Sequence, residues 1–123
     1  ELPNDVRWVI KSKEYKAICN QTYKYASIRL KKILKNYNGK EKLAVIMDLD
    51  ETVLDNSQYQ IELIENNSSF SMKSWSKWVE REIANTVPGS INYIKGLRED
   101  NIQIIFLSNR MHERFLRYHW WIG

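Results

Sequence analysis

At 123 residues, 43% hydrophobic and 28% charged, the chain is at most one domain of ordinary globular composition, long enough to bury a core of its own. No apolar run approaches the roughly 20 residues of a membrane-spanning helix, and a single cysteine, Cys19, excludes an intrachain disulfide. The net charge of +4 is read as a lysine-rich surface rather than as a nucleic-acid footprint.

The chain begins with Glu1 rather than Met, as expected of a trimmed or mature product whose signal peptide has been removed. Residues 4–35 are predicted to form one long helix within an N-terminal segment, 4–38. Tyr15, Cys19, Tyr23, Ala26, Leu30 and Ile33 recur at helical steps along one face. The stretch NYNG, ending at Gly39, supplies the stop. The short apolar run from Leu43 to Asp48 is predicted to be a buried parallel strand.

Residues 53–86 are predicted to form a cap-like excursion. Its first part, 53–70, has weak periodicity and is expected to be irregular. Ser74 is taken as the N-cap of a helix whose face carries Trp75, Trp78, Val79 and Glu82. Trp75 and Trp78 are read as packing residues in preference to a stacking platform for a nucleobase. Pro88 is placed in the first turn of the next helix, whose apolar side holds Ile91, Ile94 and Leu97. Ile102 to Leu107 is predicted to be a second buried strand. The order of helix, strand, excursion, helix, helix, strand implies an α/β layer architecture with a parallel sheet.

Ligands of parallel α/β sheets sit beyond the carboxyl ends of the strands. Both strands end there in polar groups: Asp48, Asp50 and Thr52 after the first, Ser108, Asn109 and Arg110 after the second. Carboxylates two residues apart on such a turn can share one pocket, and unit charges ~4 Å apart at an effective dielectric of ~20 repel by about 4 kcal/mol. A bound cation or protonation of one carboxyl relieves this. An oxygen-only cluster suits Mg²⁺. Mg²⁺, a nucleophilic carboxylate, an acid/base carboxylate and a phosphate cradle together describe phosphoryl transfer. His112 and His119 have no third ligand nearby and are not read as a metal site.

The motif DLDET after AVIM resembles motif one of the haloacid dehalogenase superfamily, and IIFLSNR resembles its motif two. The longer DLDETVLDNSQY, with WSKWV, VPGS and the upstream WVIKSKEYKAICNQTY, resembles the class C acid phosphatases, the bacterial outer-membrane lipoprotein type. The resemblance implies a haloacid dehalogenase-like Rossmannoid parallel sheet with a helical cap and an N-terminal helix. It implies Asp48 as the nucleophile that forms an aspartyl-phosphate and Asp50 as acid, then base. It implies Mg²⁺ on Asp48 and the Asp50 carbonyl. It puts Thr52, Ser108 and Asn109 in the substrate-binding set, Thr52 orienting the acid/base carboxyl. Glu51 is left out as structural, and Asp55 and Asn56 are expected to stabilise the loop.

The substrates implied are small phosphomonoesters, nucleoside monophosphates among them. No nucleic-acid partner is implied. The same resemblance implies export in a bacterium, to the periplasm, outer membrane or cell surface, with membrane attachment only through a lipid anchor. Superfamily members also need a Lys and an acidic pair, both expected downstream of Arg110. The fold is therefore expected to be incomplete in this chain, with open sheet edges that invite homo-oligomers. The final MHERFLRYHWWIG is expected to be too apolar for a solvent tail. The alternative reading is a truncated, catalytically inactive relative acting as a binding or surface protein. Nuclear phosphoserine phosphatases share DLDET but are disfavoured by the LDNS-Y that follows here.

Overall fold

A computed structural model of the chain describes residues 1–110. The expectations for MHERFLRYHWWIG, including His112 and His119, lie outside the described residues. The N-terminal segment forms two helices rather than one: α1 (Asn4–Lys11) and α2 (Lys13–Asn36). Ser12 divides them. Its hydroxyl accepts the backbone N–H groups of Glu14 and Tyr15 at 3.1 and 3.2 Å, which makes it the N-cap of α2. The periodic positions begin only at Tyr15, so they describe α2 and say nothing about α1. At the far end α2 stops at Asn36 with Tyr37 extended, not through a left-handed cap at Gly39. Gly39 instead leaves room for the Tyr37 ring, which a Cβ there would strike at 2.4 Å.

Strands β1 (Ala44–Met47) and β4 (Gln103–Phe106) pair in parallel, Met47 opposite Phe106. Their apolar runs predict burial on both faces, yet among the described residues only one face is covered. Val45, Met47, Ile104 and Phe106 turn toward the core, whereas Ile46 is 67% and Leu107 70% exposed. Helix α5 (Ser90–Glu99) packs against both β4 and α2. Its start is set by Gly89, not Pro88. Gly89 is left-handed (φ 88°), and a Cβ there would meet Asn20 and Tyr23 of α2 at 3.1–3.4 Å.

The excursion 53–86 is largely regular. Its feet are the antiparallel β2 (Leu54–Asp55) and β3 (Asn85–Thr86), with Leu54 opposite Thr86. Between them lie α3 (Ser57–Glu65) and α4 (Met72–Arg81). Helix α3 falls in the part expected to be irregular. It starts because the Asp55 carboxylate accepts the Ser57 N–H at 2.8 Å, and it buries Tyr59 and Leu63, one turn apart on one face. Helix α4 begins three residues earlier than expected: Ser71 is the N-cap and Ser74 the N3 partner of a reciprocal capping box. Tyr59 locks the two helices together. Its hydroxyl meets Ser74 Oγ at 2.9 Å, and its ring packs edge-on against Trp75 at 5.2 Å.

Candidate active site

The parallel register fixes where the polar strand ends fall. Leu107 N–H donates to the Met47 carbonyl at 2.9 Å, so Asp48 and Ser108 leave the sheet at the same edge. Asp48 is exposed, and Asn109 is exposed beside it on the second strand end. The Ser108 hydroxyl accepts the Arg110 N–H at 3.1 Å, which tightens the turn after β4.

The loop after β1 closes on itself. The Leu49 carbonyl accepts the N–H groups of Val53 and Leu54, both at 2.8 Å, and of Thr52 at 3.3 Å. Leu49, Val53 and Leu54 are buried beneath it. Glu51 takes the left-handed conformation (φ 57°) that this reversal needs. Thr52 presents its carbonyl to the Tyr23 hydroxyl of α2. Burial pushes the Tyr23 phenol up to about 12.

Asp50 is the most heavily engaged group of the motif. Arg110 grips it like a fork, with Nη2 at 2.5 Å from Oδ1 and Nε at 3.0 Å from Oδ2. Asn56 Nδ2 adds a third donor, 2.9 Å from Oδ1. The Arg110 guanidinium also lies 5.5 Å over the Trp75 ring. Glu51 accepts the Asn56 backbone N–H and Nδ2, both at 3.1 Å. Burial pushes the Glu51 carboxyl above its ordinary range, and the Asn56 donors partly offset this.

The structure thus brings Asp48, Asp50, Ser108 and Asn109 to one sheet edge, with Thr52 in the turn beneath. Arg110 and Asn56 had no assigned place in the chemistry. The signal for Arg110 was present: repulsion between the motif carboxylates calls for a cation, and SNR carries one. Among the described residues no group of three His, Cys, Asp or Glu side chains comes together to hold a metal ion. A groove of about 370 Å³ opens nearby between α1 and α3, lined by Val6, Val9, Tyr15, Glu51, Asp55 and Gln60 among others. Neither Asp48 nor Ser108 lines it, so it is separate from the strand-end site.

A parallel strand pair whose first strand runs into D-x-D-x-T and whose second runs into a Ser-Asn turn defines a haloacid dehalogenase-type α/β protein. Comparison with known proteins carries this further. Residues 2–116 match the family model of the HAD superfamily, subfamily IIIB (acid phosphatase), and the chain belongs to that family. Members of the superfamily generally use a divalent metal. Two solved structures of the class C acid phosphatase from Bacillus anthracis, one with tungstate bound, superpose with a TM-score of 0.83 at 31% and 30% identity. Each match covers 89% of this chain and 45% of the other, so this chain spans less than half the length of those relatives.

Proposed function

We propose that the chain carries the nucleophile and phosphate-binding half of a Mg²⁺-dependent phosphomonoesterase. The observation that carries the proposal is the convergence of Asp48 and Ser108 at the carboxyl edge of adjacent parallel strands. An Asp48 oxygen attacks phosphorus and the ester P–O bond breaks. Asp50 gives its proton to the leaving oxygen, and an aspartyl-phosphate remains on Asp48. Asp50 then takes a proton from water as that water attacks phosphorus. Inorganic phosphate leaves and Asp48 is regenerated. The Ser108 hydroxyl and the Asn109 backbone hold phosphoryl oxygens, and Thr52 steadies the turn that aims Asp50.

The Asp48 carboxylate and the Asp50 carbonyl suit a hard cation such as Mg²⁺, which when bound would offset charge between Asp48 and an incoming phosphate dianion. The tungstate in one relative supports a site for tetrahedral oxyanions. Small phosphomonoesters, nucleoside monophosphates among them, are the proposed substrates. Export in a bacterium accompanies this reading on the strength of the family resemblance.

The test is hydrolysis of p-nitrophenyl phosphate by the full-length protein, with and without Mg²⁺, against Asp48→Asn. Loss of the nucleophile should lower kcat by roughly 10³-fold or more. Equal rates would overturn the assignment. One observation favours a second reading, a catalytically inactive relative that binds phosphate esters: Arg110 occupies the Asp50 carboxylate that must shuttle protons. That reading predicts tungstate binding without turnover by the full-length protein.

A further inference from the structure

Asn56 is 2% exposed, and every hydrogen-bonding group of its side chain is committed. Its Nδ2 donates to Asp50 Oδ1 at 2.9 Å and to Glu51 Oε1 at 3.1 Å, while its Oδ1 accepts Trp78 Nε1 at 2.8 Å. The chemistry of the partners fixes which way the amide points. An indole N–H can only donate, so it must face the amide oxygen. Ionised carboxylates only accept, so they must face the NH₂ group. The reversed amide would set its oxygen against two carboxylates and its NH₂ against an N–H. Trp78, buried on α4 at 3% exposure, therefore dictates the direction of the donors that reach Asp50.

The consequence concerns Asp50. Asn56 Nδ2 meets Asp50 Oδ1 together with Arg110 Nη2, while Arg110 Nε reaches Oδ2, so the two side chains jointly fix the rotation of the Asp50 carboxyl group. We propose that Asn56 is a positioning residue for Asp50, set in turn by Trp78, so that the excursion 53–86 governs how well the leaving group is protonated. The inference rests on the phosphomonoesterase reading and adds to it a route from α4 to the acid/base carboxyl. The route is short: Trp78 to Asn56 to Asp50 takes two hydrogen bonds. It begins on the helix that also carries Trp75, against which the Arg110 guanidinium lies.

Leaving-group dependence tests it. An alkyl phosphate needs its strongly basic leaving oxygen protonated, whereas p-nitrophenolate departs without much help. kcat/KM, which reports the first chemical step, is measured on glycerol 2-phosphate and p-nitrophenyl phosphate with the full-length protein, Asn56→Ala and Trp78→Phe. Asn56→Ala should lose about 10²-fold on the alkyl ester and less than about 5-fold on the aryl ester. Trp78→Phe keeps a ring in the core but loses the N–H, and should show the same asymmetry at about 10-fold. Equal losses on both esters would mark a merely structural role and overturn the inference. Should Asn56→Ala fail to fold, Trp78→Phe decides by the same asymmetry. In addition, the Trp78 indole proton should shift in the NMR spectrum of Asp50→Asn, and an unmoved resonance overturns the relay whatever the enzyme's activity. Wild-type protein inert toward both esters would instead sink the phosphatase reading, which separates the two failures.

Discussion

Arg110 with Asp50 and Arg81 with Glu62 are the same arrangement built twice. In each, a guanidinium forks onto a carboxylate: 2.5 and 3.0 Å in the first pair, 2.6 and 2.9 Å in the second. In each, a Trp ring lies below the guanidinium, Trp75 at 5.5 Å and Trp78 at 5.1 Å. They differ in solvent. The Arg110 and Asp50 side chains are 1% and 24% exposed, those of Arg81 and Glu62 44% and 28%. The outer pair ties α4 to α3 on the surface of the excursion, where water screens it and supplies alternative partners. The inner pair ties the two strand ends together with its guanidinium out of solvent. The contrast shows what the sheet edge requires. Asp50 of motif one is held by a cation from the second strand end as well as by the backbone of its own turn.

The largest expected effect comes from breaking the inner pair. Arg110→Ala leaves Asp50 partly buried opposite nothing cationic from the second strand end, and should cost about 3 kcal/mol. Thermal or denaturant unfolding measures it, and a loss below about 1 kcal/mol would mean that water reaches Asp50 freely and that the two pairs are alike after all. Arg110→Lys sharpens the same point. It keeps the charge but gives up the planar fork and the stacking on Trp75, and should cost about 1–2 kcal/mol. If it matched wild type, charge alone would explain the clamp.

The layout of the sheet edge was more legible in the sequence than the contacts that hold it. That Asp48, Asp50 and Ser108 fall at one sheet edge was legible because an apolar strand running into acids, and another running into Ser-Asn, is a local pattern that parallel pairing brings together. The parallel pairing followed from the order of elements. Arg110 and Asn56 were not legible in their roles, because each acts across 60 or 6 residues on the same Asp50 oxygen, and no periodicity encodes such a meeting. Boundaries failed where a polar side chain overrode the apolar rhythm. Ser12 splits a run read as one helix, Asp55 starts α3 in a stretch read as irregular, and Ser71 rather than Ser74 caps α4. The open face of the sheet was missed for another reason: Ile46 and Leu107 look like core by composition, and only the fold shows which face is covered.

The outer pair should yield smaller effects. Arg81→Ala is expected to cost at most about 1 kcal/mol, part of it lost packing on Trp78 rather than lost charge. A double-mutant cycle with Glu62→Gln should return a coupling energy of about 0.2–1 kcal/mol, falling as salt is raised. A coupling above about 2 kcal/mol would erase the distinction between the two regions.

The pH dependence of the outer pair is the finest test. The hydrogen bond from Arg81 holds the Glu62 carboxyl below its ordinary value of 4.5. Because the folded value is the lower one, the stability this pair contributes is present above pH 4.5 and disappears as pH falls through the folded value. Wild type and Glu62→Gln should therefore differ in unfolding free energy by less than about 1 kcal/mol at neutral pH, and their curves should converge on the acid side. Convergence on the alkaline side would show that Glu62 contributes through packing or α3 propensity rather than through its charge. The contrast between a screened and an unscreened guanidinium pair would then rest on Arg110 alone.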